Sequence, residues 1–166
     1  DARQKNPALK LIVVDPRRTD TASAADLHLA ILPGTDVVLF NAMLHVMLWE
    51  GWCDMAYINA HTEGFEQLKG TVRDFTPQHA ATICAITAEE IMQAARWFAT
   101  SPATLSLYCQ GLNQSIQGTD KNTALMSTAN FLRAPGWRAG AGYQGNMGAI
   151  AGWNSAGVYQ QAIARI

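Results

Sequence analysis

Thirteen residues from Val37 to Trp49 carry only two polar side chains, Asn41 and His45. As a helix this run rises about 20 Å, at roughly 1.5 Å per residue. That is well short of the ~20 residues needed to cross a bilayer, and the run offers no polar stripe to water. The chain has to bury it, wedged between a sheet and another layer. The helix is predicted over Asp36 to about Glu50, with Thr35 as its cap and Asp36 in the first turn, facing the positive end of the helix dipole.

The sheet is legible just upstream. Lys10 to Val14 is β-branched and apolar between Asn6-Pro7 and Asp15-Pro16, the pattern of a strand buried on both faces in a parallel sheet. Leu27 to Leu32 is a second strand, stopped by Pro33-Gly34. Downstream, short helices are predicted over Asp54 to His61 and over Glu63 to Leu68, the latter ending before Gly70, and Pro77 opens another at its first position. Thr87 and Glu90 form a capping box ahead of a helix that turns Ile91, Ala94, Ala95 and Phe98 inward and stops at Ser101-Pro102. Thr104 to Tyr108 reads as a third strand closed by Gly111, and Gly118 to Leu132 as a helix. Strands separated by helices predict an α/β fold with a mainly parallel sheet flanked by helices. From Pro135 onward glycines recur without helical or strand period, which predicts a glycine-rich loop region.

Composition narrows the function classes. With 49% apolar and 15% charged residues the chain is globular, and a net charge of -1 calls for neither a nucleic-acid backbone nor an anionic membrane as partner. Cys53, Cys84 and Cys109 are widely spaced with no C-x-x-C, so they read as free thiols in a reducing, cytoplasmic setting. His28, His45, His61 and His79 lie too far apart for a metal-ligand spacing, and no metal site is expected. No G-x-S-x-G is present, and Cys109 lacks the electropositive neighbours that a nucleophilic thiol needs. The first residue is Asp1 rather than Met, so an internal fragment of a longer chain is expected.

Ligands of parallel α/β sheets collect at the carboxyl ends of the strands. Asp15, Pro16, Arg17, Arg18 and Thr19 occupy one such end, and Gly34, Thr35 and Asp36 another. Guanidinium forks match phosphate oxygens, and a carboxylate matches the paired donors on the Watson-Crick edge of guanine, an arrangement adenine lacks. The same residues also suit plain turns, since Asp-Pro opens a turn and Pro-Gly-Thr-Asp stops a strand and starts a helix. After the third predicted strand, Gln110, Asn113 and Gln114 flank Gly111, where amides can meet a planar polar ring or serve the loop's own backbone.

The segments V-V-D-P-R-R-T, A-D-L-H-L-A-I-L-P-G-T-D-V with F-N-A-M-L-H after it, Y-I-N-A-H-T-E-G-F and Y-C-Q-G-L-N-Q-S-I-Q-G-T-D-K-N stand in the order and spacing of the prokaryotic molybdopterin oxidoreductases of the dimethyl sulfoxide reductase superfamily. The chain resembles that family over about Lys10 to Leu132, most closely the catalytic subunit of assimilatory-type nitrate reductases. The resemblance implies a bis-molybdopterin guanine dinucleotide cofactor with molybdenum. It implies guanosine contacts at Asp15, Pro16, Arg17, Arg18 and Thr19 and at Gly34, Thr35 and Asp36, and pterin-side contacts at Gln110, Gly111 and Gln114. A four-iron four-sulfur cluster and the molybdenum ligand would lie outside these residues.

The expected parent is a cytoplasmic enzyme reducing nitrate to nitrite by oxygen-atom transfer at molybdenum. Its partners would be the remaining domains of the same polypeptide, an electron-donor protein or domain, and a small oxyanion substrate, without nucleic acid or a membrane span. Residues 1–107 would be part of a dinucleotide-binding-like domain, and residues 108–166 the start of a neighbouring cofactor-binding segment, glycine-rich from 135. The alternatives are a formate dehydrogenase or other oxyanion reductase of the superfamily, and a stand-alone nucleotide-binding module.

Overall fold

The computed structural model describes residues 2–102, 104–108 and 110–130. In chain order the elements are α1 (Ala2–Lys5), β1 (Ile12–Val14), α2 (Asp20–Ser23), β2 (Leu27–Leu29), α3 (Asp36–Trp49), α4 (Met55–His61), α5 (Phe65–Val72), α6 (Pro77–Cys84), α7 (Ala88–Thr100), α8 (Gln110–Asn113) and α9 (Gly118–Asn130). The fold is α/β: helices around a small parallel sheet in which Ile12 pairs with Leu27, Val13 with His28 and Val14 with Leu29. The carboxylate of Asp26 pins the amino end of the sheet by accepting the Leu11 amide at 2.9 Å.

Helix α3 is the axis of the molecule. Leu39, Met43 and Met47 enter one apolar cluster with Leu29 of β2, Ala80 and Cys84 of α6, and Ile91, Ala94 and Ala95 of α7. Leu44 enters a second cluster with Ile58 of α4 and Leu68 and Val72 of α5. A helix that feeds clusters on two sides and also packs against α9 has no face left for water, which explains the near absence of polar residues along it. The α7 capping box forms as expected: Glu90 N donates to Thr87 Oγ1 at 3.1 Å, and Thr87 N donates to Glu90 Oε2 at 2.8 Å.

Several expectations are corrected. β1 is not buried on both faces: Ile12 and Val13 are half-buried and Val14 is exposed. β2 stops at Leu29 rather than Leu32, because β1 has already turned away at Asp15-Pro16; Leu32 N instead donates to the Cys84 carbonyl at the end of α6, at 3.0 Å. α5 does not end before Gly70 but runs through it to Val72. Burying Leu68 and Val72 outweighs the ~1 kcal/mol that a mid-helix glycine costs. Residues 104–108 join no sheet among the described residues. They keep a strand's alternation, with Thr104, Ser106 and Tyr108 half-buried and Leu105 and Leu107 exposed, but alternation alone does not supply a hydrogen-bonding partner. The predicted loop at Gln110 is a short helix. The end of the last predicted helix and the glycine-rich region from 135 lie outside the described residues.

Candidate functional site

Because β1 and β2 are parallel, their carboxyl ends share one edge of the sheet. Asp15, the first residue past β1, donates its amide to the Leu29 carbonyl at the end of β2, at 3.3 Å. His28 Nε2 lies 2.8 Å from the Asp15 carbonyl oxygen. The Asp15 carboxylate closes its own turn by accepting the Arg17 amide at 2.8 Å, and its Oδ1 is 3.6 Å from Arg17 Nε. The Thr19 hydroxyl accepts the Ala22 amide and so caps α2. Asp15 and Thr19 thus shape the loop, while Pro16, Arg17 and Arg18 stand exposed, with the Arg17 side chain at 84% of its full exposure.

The second strand end is more constrained. Gly34 has φ +90°, a conformation that side chains rarely adopt, although a Cβ there would meet nothing within 4 Å; the glycine is needed for the turn and not for space. Thr35 precedes α3 but does not cap it through its side chain, contrary to expectation. Its φ of -99° and ψ of 10° turn the hydroxyl back to donate to the Leu32 carbonyl at 2.7 Å. Cys84 Sγ donates to the Thr35 carbonyl at 3.6 Å; burial raises this thiol's pKa, partly offset by that bond and reinforced by the nearby Asp36 charge.

Asp36 is buried. Its Oδ2 accepts from Lys121 Nζ at 2.9 Å, and its Oδ1 accepts the Val37 amide at 3.1 Å. The two side chains of the ion pair are each only 11% exposed. Nothing in the sequence around Lys121 points to this role. Lys121 lies 85 positions from Asp36, in the second turn of a helix of low amphipathicity, so no local signal marks it. Asn41 reads as a break in an apolar run, yet its Nδ2 is buried without a hydrogen-bond partner, which costs on the order of 1–3 kcal/mol.

The third segment starts with α8. Gly111 and Gln114 are exposed, and a Cβ on Gly111 would meet nothing within 4 Å. α8 packs on α9 and α9 on α3, so Gln110, Gly111 and Gln114 connect to Asp36 through α9 and its Lys121. The first two candidate segments therefore leave the same end of the sheet, and the third packs through α9 against α3, where Lys121 meets Asp36.

Comparison with known proteins gives this arrangement a family. The family described as molybdopterin oxidoreductase matches residues 1–162. The chain belongs to it. Among relatives of this molybdopterin oxidoreductase chain, the F420-dependent formate dehydrogenase subunit alpha of Methanocaldococcus jannaschii is 40% identical over 127 residues, covering 76% of this chain and 19% of that protein. A nitrate reductase of Synechocystis is 40% identical over 124 residues, covering 75% of this chain and 17% of that protein. Among solved structures, acetylene hydratase from Pelobacter acetylenicus superposes with a TM-score of 0.70 at 34% identity, covering 84% of this chain and 19% of that one. The chain thus spans less than a fifth of the length of these relatives. Family membership implies a molybdenum-pterin cofactor. The two exposed guanidinium groups of Arg17 and Arg18 are donors suited to the phosphate oxygens of a ligand of that kind.

Proposed function

We propose that this chain holds one guanine-tipped arm of a bis-molybdopterin guanine dinucleotide cofactor in a molybdenum oxidoreductase, and that the parent enzyme is a nitrate reductase. The observation that supports this is the meeting of the two strand ends: the Asp15 amide bonds to the Leu29 carbonyl, so the segment carrying Arg17 and Arg18 and the segment leading to Gly34, Thr35 and Asp36 leave the same end of the sheet. In this scheme Arg17 and Arg18 meet the diphosphate, Asp15, Pro16 and Thr19 shape the loop around the ribose, and Asp36 reads guanine. Gln110, Gly111 and Gln114 face the pterin side. The molybdenum centre, when bound, supplies oxygen-atom transfer from nitrate, with electrons reaching it through a four-iron four-sulfur cluster elsewhere in the parent.

The parent's further domains, an electron-donor protein or domain, the oxyanion substrate, the division near residue 107 and a cytoplasmic setting for nitrate assimilation belong to the same proposal. The free thiols of Cys53 and Cys84 are compatible with a reducing compartment. Among the described residues no helix is long and apolar enough to cross a membrane.

A formate dehydrogenase is the second reading, favoured by a formate dehydrogenase relative as similar as the nitrate reductase one. The deciding experiment purifies the full-length protein and measures molybdenum, pterin and acid-released GMP, then assays nitrate reduction and formate oxidation. Two GMP per molybdenum together with nitrate reduction supports the first reading. Formate oxidation alone supports the second, and a preparation without molybdenum or pterin defeats both.

A further inference from the structure

We propose that Lys121 is a positioning residue for guanine recognition, holding the Asp36 carboxylate in the one orientation that leaves a paired acceptor edge free; this rests on the guanine site proposed above. An ionised carboxylate offers about four lone-pair positions, two on each oxygen. In this structure Lys121 Nζ takes one on Oδ2 at 2.9 Å, and the Val37 amide takes one on Oδ1 at 3.1 Å. One position on each oxygen remains, and the N1-H and 2-amino donors of guanine require that side-by-side pair. The Val37 amide holds Oδ1 from within the same segment and by itself leaves the carboxylate able to pivot about that oxygen. The Lys121 ammonium approaches from a separate helix, so its contact fixes the plane.

Two further observations support a role beyond general stability. The pair is largely buried, each side chain being 11% exposed, so its attraction is weakly screened and the orientation persists. Lys121 also stands three residues into α9, and α9 packs against both α8 and α3. The same contact thereby lies within the packing that connects the segment proposed to face the pterin to the segment proposed to face guanine. A neutral side chain at 121 leaves the Asp36 carboxylate free to rotate and to spend its acceptor pair elsewhere.

The test uses the full-length protein prepared without cofactor and measures binding of GDP and of IDP, which lacks only the 2-amino donor. The wild type is expected to prefer GDP by on the order of tenfold, the scale of one hydrogen bond to a charged group. Lys121→Met is expected to bring that ratio close to one, and Lys121→Arg to restore most of it. Lys121→Gln, which keeps a donor but not the charge, provides the same comparison where Lys121→Met does not fold, and melting temperatures are recorded beside every titration. A Lys121→Met or Lys121→Gln protein that loses stability but keeps the full GDP to IDP ratio overturns the positioning role. If that ratio nevertheless collapses in Asp36→Asn, the guanine site itself stands. A wild type that does not distinguish the two nucleotides removes both.

Discussion

Leu39 and Met47 are wholly buried on α3, whereas Val14 and Leu32, at the carboxyl edge of the sheet, are 41% and 50% exposed. Around α3 most apolar side chains pack into one of two clusters. At the sheet edge the backbone turns through residues chosen for conformation and charge: a proline, two arginines, a left-handed glycine and a buried aspartate. The difference separates the residues that bear stability from those proposed above to bind the cofactor. The helical core bears the folding free energy, and it can hold in place an edge that is poorly buried and therefore free to bind. The Lys121–Asp36 pair is the exception, a polar contact of core-like burial located at the edge.

That contrast can be broken most severely at the exception. Lys121→Met leaves the Asp36 charge buried without its partner, and urea unfolding is expected to show a loss of about 3–5 kcal/mol. Adding Asp36→Asn should recover much of it, and a double variant no better than the single one would mean that the pair is not a coupled unit. In the core, Met47→Ala is expected to cost about 2–5 kcal/mol in the same measurement without altering nucleotide preference, because it opens a cavity about three helical turns along α3 from Asp36.

A subtler contrast comes from Cys53, which packs between the two apolar clusters and whose pKa is raised by burial from 9.0 to about 11. The folded state holds this proton more tightly than the unfolded chain does, so its contribution to stability is fully present below pH 9.0 and is lost as pH rises through about 11. Unfolding curves of wild type and Cys53→Ala should therefore converge as pH climbs through that window. Parallel curves would show that the thiol is not desolvated. The smallest effect on folding belongs to the edge: Arg17→Ala with Arg18→Ala should change stability by no more than about 0.5 kcal/mol. The same change should weaken GDP binding by on the order of tenfold or more through lost charge-assisted bonds. A large stability loss there would make the two arginines structural.

Local signals carried much of the fold. The capping box at Thr87 and Glu90, the proline start of α6 and the apolar run of α3 each rest on neighbours within a few residues, and each is found where the sequence places it. The third strand is not found, because strand formation needs a partner that alternation cannot provide. Thr35 fails as a side-chain cap because its backbone, at φ -99° and ψ 10°, is not extended as a cap requires and its hydroxyl is turned toward the Leu32 carbonyl three residues back.

By itself the amino-acid order determined that α3 must be central, that two apolar runs end in turns, and which charged and glycine residues stand at those ends. Only the tertiary structure decided that the two ends are neighbours and that Asp36 is held by Lys121. The physical reason is range. Caps, turns and amphipathic faces are settled by groups a few bonds or one helical turn apart, while an ion pair across 85 positions forms only after α3 and α9 have been packed together by everything between them.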